Sequence, residues 1–111
     1  MRILVIDDER TFDNRKLGVY KEEITYARYG EEGLACLQEA FDVVYLDHDL
    51  GENSIDGYGV TMEIEKLAYQ GTLLDVGKFV IHSMNPVGRM NMYQCLSKFY
   101  NVEFARVEDL M

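Results

Sequence analysis

Apolar runs in this chain are short, and none approaches the roughly 20 residues needed to cross a bilayer. A membrane-spanning role is therefore not expected. Positive charge is scarce too: 11 Lys and Arg stand against 20 Asp and Glu, for a net charge of −9. Extended binding to nucleic acid depends on neutralising several phosphates, so this balance excludes a broad nucleic-acid surface. It leaves open a phosphorylated nucleotide or an RNA end, because an acidic crevice binds phosphate once a divalent cation sits in it. The two cysteines, Cys36 and Cys95, fall on apolar faces of helix-like stretches and read as buried thiols in a reducing compartment. There is one proline, no low-complexity tract and no internal repeat. Met1-Arg2 leads straight into an apolar run without the features of a signal peptide, so a cytoplasmic location is expected. The length suits a single domain over residues 1–111.

Three of the short apolar runs stop at knots of polar side chains. Ile3-Leu4-Val5-Ile6 meets Asp7-Asp8-Glu9-Arg10, Val43-Val44-Tyr45-Leu46 meets Asp47-His48-Asp49, and Phe79-Val80-Ile81 meets His82-Ser83-Met84-Asn85. Short runs rich in β-branched residues read as buried parallel strands. Ligands of open α/β sheets bind beyond the carboxyl ends of such strands, where the strand order reverses. If the three strands are neighbours, acids, imidazoles, a hydroxyl and an amide converge on one crevice.

Between these strands the pattern alternates. Residues 2–6 form a first strand, 8–21 an irregular loop with at most one helical turn, and 24–29 a second strand. Gly30-Glu31-Glu32 opens a helix whose buried face is Leu34, Leu37 and Phe41. A third strand covers 42–46, and a glycine-containing loop leads to a helix over about 58–69 with the stripe Val60, Ile64, Leu67 and Ala68. A fourth strand covers 78–83. Pro86 then starts a helix to about residue 100 that buries Met92, Cys95, Leu96 and Phe99. Val102–Val107 offers a last strand, and no final helix follows. The expected fold is α/β with right-handed crossovers and a mainly parallel sheet. A sheet face left bare by the absent last helix would suit a second copy, so a homodimer is the expected cover.

Asp7, Asp8, Asp47 and Asp49 would repel one another if packed together, and a hard cation such as Mg²⁺, or Mn²⁺, would relieve this. Asp8 and Asp47 are the leading ligands; alternatively Asp8 and Asp49 simply cap loops. His48 and His82 titrate in the range useful for general acid–base chemistry. Strand alternation points Asp47 and His48 to opposite faces, and likewise His82 and Ser83, so one of each pair is structural. His82 is the favoured catalytic imidazole. Ser83, Asn85 and Gly88 precede or open a helix whose free N–H groups suit an anion, although Asn85 is equally a helix cap. Arg10 suits a phosphate contact.

The arrangement resembles a response-regulator receiver domain: flavodoxin-like, strand order 2-1-3-4-5, with a reduced first crossover helix and no final helix. Asp7-Asp8 matches the receiver's metal-binding acids, Asp47 its phospho-accepting position, and Ser83 its Ser/Thr switch position. The set Asp7-Asp8-Glu9-Arg10, Leu46-Asp47-His48-Asp49-Leu50-Gly51, Gly57-Tyr58 and His82-Ser83-x-Asn85-Pro86-x-Gly88 resembles the cyclic-phosphate processing receiver family of bacteria and phages. That resemblance implies a metal-dependent phosphoesterase acting on a cyclic or terminal phosphate, in connection with RNA repair. The receiver lysine expected after the fifth strand is missing, and Arg106 is the only basic residue there. The alternatives are a non-catalytic module that binds a phosphorylated ligand or protein partner, and a phospho-accepting signalling receiver.

Overall fold

The computed structural model describes residues 1–111. Its strands are β1 (Ile3–Ile6), β2 (Ile24–Ala27), β3 (Phe41–Leu46), β4 (Val76–Ile81) and β5 (Val102–Phe104). The helices are α1 (Gly30–Cys36), α2 (Gly57–Tyr69) and α3 (Pro86–Leu96), with 3₁₀ turns at Lys21–Glu23 and Val107–Asp109. All five strands are parallel, in the order β2-β1-β3-β4-β5. No helix is long and apolar enough to cross a membrane.

Side chains of successive strand residues point to opposite faces, and this sorts the core into two clusters. Leu4, Ile6, Val44, Leu46, Phe79 and Ile81 face the helices and pack against Leu37, Val60, Ile64, Met92 and Leu96. Ile3, Val5, Val43 and Val80 face the other way. No helix covers that second face. Phe12, Leu17 and Val19 of the irregular 8–21 segment lie on it, together with Ala105 and Leu110. The third layer of the fold is thus non-helical chain, and the face expected to be bare already has a partial cover. The cover is tied down at two consecutive residues: the Asp13 N–H donates to the Leu110 carbonyl at 2.8 Å, and the Phe12 N–H to the Tyr26 hydroxyl at 3.0 Å.

The element boundaries depart from the sequence pattern where one apolar residue serves two elements. Phe41 begins β3 instead of lying on α1, and Phe99 lies beyond the end of α3 and is only half-buried. Cys95 is buried but Cys36 is half-buried. β4 ends at Ile81, so His82 and Ser83 follow the strand, and β5 stops at Phe104.

The turn from β3 into α2 is set by one close approach. The Gly57 N–H donates to the His48 carbonyl at 2.7 Å, and a Cβ on Gly57 would lie 2.2 Å from the Asp47 carbonyl oxygen. Both contacts are backbone, which cannot rotate away. Gly57→Ala is expected to lose at least about 1–3 kcal/mol, read as a lower urea midpoint at unchanged slope.

Candidate functional site

The ladder of the sheet runs one step past three strands. Asp7 N–H donates to the Ala27 carbonyl, Asp47 N–H to Ile6, and His82 N–H to Leu46, at 3.0–3.2 Å. Ile6 pairs with Leu46, and Leu46 with Ile81, so the three following residues arrive at one level on adjacent strands. Alternation then decides direction. Asp7 continues the Ile3–Val5 face, Asp47 the Val43–Tyr45 face and His82 the Val80 face, so all three side chains project to the side covered by the loop. His48 and Ser83, one residue further on, project to the helix side.

On the loop side the three groups are sealed: Asp7 and His82 are 0 % exposed and Asp47 is 4 % exposed. One oxygen of each carboxylate and one ring nitrogen lie within 4.8 Å of one another. His82 Nε2 is 2.9 Å from Asp7 Oδ2. The Nη1 of Arg10 donates to the same Asp7 oxygen at 3.2 Å and to Asp47 Oδ2 at 3.0 Å, bridging the two acids. The other Asp7 oxygen accepts from the backbone N–H groups of Glu9 and Arg10, and Asp47 Oδ1 accepts from the His48 N–H. His82 Nδ1 is buried without a partner, with Phe12 edge-on to the ring at 5.2 Å. A bare lone pair is cheaper to bury unpaired than an N–H, so the ring proton belongs on Nε2, donated to Asp7. A histidine that ligates metal normally donates its other N–H to a partner, and Nδ1 has none.

These surroundings push the two acids apart. Burial by itself would raise the Asp7 carboxyl, but the hydrogen bonds from His82 and from the Arg10 and Glu9 backbone outweigh it and hold Asp7 well below the usual carboxylate range. Burial raises Asp47, and the Asp7 charge adds to this against the pull of His82 and Arg10. Arg10 loses to burial and gains more from the two acids, so its guanidinium is held charged.

The helix side forms a separate group. The His48 ring lies against Gly88, where a Cβ would come within 2.5 Å of it. Its Nδ1 is 3.2 Å from Asp49 Oδ1 and its Nε2 is 3.7 Å from Asp56 Oδ2. The His48 side chain is 16 % exposed, so solvent reaches this imidazole and not His82. Asn85 caps α3, its Oδ1 accepting from the Gly88 N–H at 2.9 Å, while Ser83 Oγ accepts from the Asn85 N–H at 3.1 Å. Asp8 and Asp49 are exposed and stand outside the Asp7–Asp47 pair. Arg106 pairs with Asp109 at the surface, so the cation facing Asp47 comes from the first loop, not from the end of β5.

Two residues that matter here were not among those the sequence pattern singled out. Arg28, just past β2, donates to the carbonyls of Asp7 and Arg10 at 3.2 and 2.6 Å and stacks over Tyr26, bracing the acidic loop. Phe12 closes the loop over His82 and Tyr45. Phe12 is the large apolar residue in an otherwise polar stretch after Arg10, which is the one cue that it plugs something.

A family model described as "Cyclic-phosphate processing Receiver domain" matches residues 2–98. Among solved structures, NtrX from Brucella abortus in complex with ADP is similar with a TM-score of 0.61 and 22 % identity, over 96 % of this chain and 23 % of that one. The receiver domain of the histidine kinase CKI1 from Arabidopsis thaliana, complexed with Mg²⁺ and BeF₃⁻, gives a TM-score of 0.57 and 22 % identity, over 95 % and 79 %. The chain thus spans about a quarter of the length of NtrX and most of the CKI1 domain. No curated protein matches it by sequence. At these identities the solved structures speak for the fold.

Because folding lowers the Asp7 pKa below its unfolded value of about 4, its stabilising contribution is complete above that pH and disappears as pH falls through the folded value. Asp7→Asn removes the carboxylate that accepts from His82 Nε2 and leaves Arg10 paired with Asp47 alone. It is expected to cost about 1–3 kcal/mol at neutral pH and to flatten the acid limb of stability below about pH 4, measured by urea unfolding across pH.

Proposed function

The chain belongs to the cyclic-phosphate processing receiver family, and we propose that it is a metal-dependent phosphoesterase for a cyclic or terminal phosphate on a nucleotide or RNA end. The observation that carries this reading is the buried Asp7–Asp47 pair at the carboxyl edge of the sheet, bridged by Arg10. The donor set suits a hard divalent ion, Mg²⁺ or Mn²⁺: carboxylate oxygens within 4.8 Å, in mutual repulsion that a cation relieves. Asp7 and Asp47 would hold it, with Asp8 and Asp49 at the exposed rim. Such an ion, once bound, polarises phosphoryl oxygens and acidifies water.

The chain's own groups divide the remaining work. Opening a cyclic phosphodiester adds water across one P–O bond: the water oxygen joins phosphorus, the ring oxygen leaves, and that oxygen must receive a proton. His48 is the imidazole we assign to this transfer, steadied by Asp49 and Asp56 and reachable by solvent. His82, sealed and engaged with Asp7, is a positioning residue. Ser83, Asn85 and the first turn of α3, with Gly88 against His48, flank the phosphate position.

A second reading has an observation of its own. Asp47 directly follows β3 with the Arg10 guanidinium facing it, the position that matches a receiver's phospho-accepting aspartate, so the domain also suits a signalling receiver. Turnover separates the two. A panel of 2′,3′-cyclic nucleotides, RNA with a cyclic-phosphate end, a 3′,5′-cyclic nucleotide and acetyl phosphate, with Mg²⁺ or Mn²⁺, is expected to show hydrolysis of one cyclic phosphate. Asp47→Asn abolishes it. His48→Ala lowers kcat by about 10²–10⁴ and removes one limb of the pH–rate profile, whereas His82→Ala lowers stability and leaves the profile's shape unchanged. Phosphorylation by acetyl phosphate, with every cyclic substrate untouched, would replace the hydrolase with the receiver reading.

A further inference from the structure

The Nη1 of Arg10 lies 3.2 Å from Asp7 Oδ2 and 3.0 Å from Asp47 Oδ2, and the other oxygen of each acid is taken up by backbone N–H groups, so a cation shared by these acids would compete for the same two oxygens. A metal ligated at about 2 Å by both oxygens cannot share that position with a guanidinium nitrogen. Resting on the metal-dependent reading above, we propose that Arg10 is a resident counter-ion that a divalent cation must displace. The metal-free domain thereby keeps two adjacent acids buried without an ion, and the displaced guanidinium becomes available to phosphate.

The loop is built for such an exchange. The backbone at Arg10 is fixed independently of its side chain: its N–H donates to Asp7 Oδ1, and its carbonyl accepts from Arg28 Nη1. The Asp7 carbonyl is held by the same Arg28 nitrogen, and the neighbouring Phe12 N–H by the Tyr26 hydroxyl. The side chain, by contrast, is anchored only at its tip in the contacts described, and it is 23 % exposed. It can leave for solvent while the backbone stays in place. A guanidinium presents a flat fork of donors that pairs with phosphate as readily as with carboxylate, so release from the acids frees it for a phosphoryl oxygen.

Displacement has an energetic signature. Wild-type metal affinity is lowered by the two charge-assisted hydrogen bonds that must break, and a variant without them starts from unrelieved repulsion between Asp7 and Asp47. Arg10→Gln is therefore expected to melt at a lower temperature than wild type without metal, yet to bind Mn²⁺ about tenfold or more tightly, by calorimetry and by electron paramagnetic resonance of free Mn²⁺. Arg10→Lys, which keeps the charge on a single point, falls between them. Should Arg10→Gln fail to fold, proton NMR of the wild type decides: saturating Mg²⁺ is expected to release the Arg10 guanidinium protons from slow to fast exchange. Equal or weaker Mn²⁺ affinity in Arg10→Gln, or guanidinium protons that stay protected with Mg²⁺ bound, would overturn the exchange while leaving the metal site standing. Absence of Mn²⁺ and Mg²⁺ binding in wild type and both variants would overturn the metal-dependent reading and the exchange together.

Discussion

Two carboxylates buried side by side on neighbouring strands need a counter-charge, and the groups around the sheet edge are arranged to supply it. Parallel pairing brings Asp7 and Asp47 to one level, and alternation turns both to the same side. Taking two like charges out of water together costs several kcal/mol unless charge and hydrogen bonds compensate. Arg10 contributes the charge, while His82 and the backbone of Glu9 and Arg10 contribute hydrogen bonds. Arg28 in turn fixes the carbonyls of the loop that carries Arg10. A long chain of local choices, from the turn at Asp7 to the stacking of Arg28 on Tyr26, follows from placing those two acids there.

The same alternation separates what the sequence runs together. Asp47-His48 and His82-Ser83 read as four polar residues at two strand ends, yet the sheet divides them into a sealed loop-side group and a more open helix-side group. Which imidazole solvent can reach is decided by the parity of its position along the strand. His82 takes the buried place, among Phe12, Tyr45 and the acids. His48 takes the place against Gly88, where the absent Cβ gives the ring its room.

Strand identity and the polar strand ends were legible because they rest on short-range pattern, β-branched runs that stop abruptly at acids and turn residues, whereas the strand order came with the resemblance to receiver domains. The split of the two pairs was legible too, from the two-residue period. What could not be read was depth. Nothing in their immediate sequence sets the depth of Asp7, wholly buried, against that of its neighbour Asp8, which is exposed, because Asp7 is closed off by Arg10 and by His82, which lies 75 residues away. Helical periodicity puts Phe41 and Phe99 on helices for a related reason: an apolar residue at a helix end keeps the period whether the chain continues as helix or turns into the core. Arg28 has nothing in its sequence surroundings to mark it, since its partners are backbone carbonyls 18 and 21 residues away.

The non-helical layer over the second sheet face ties the site to the far end of the chain. Its anchors include the Leu110 carbonyl, bound by the Asp13 N–H, and Lys16 Nζ, 2.8 Å from the Met111 carbonyl. Phe12 and Arg10, which close over His82 and the acids, are only a few residues from those anchors. Whatever is joined after Met111, a tag or a further stretch of polypeptide, therefore leaves the surface beside the loop that roofs the carboxylates. Mechanical load or steric crowding at that exit acts directly on the roof, with no helix in between to absorb it.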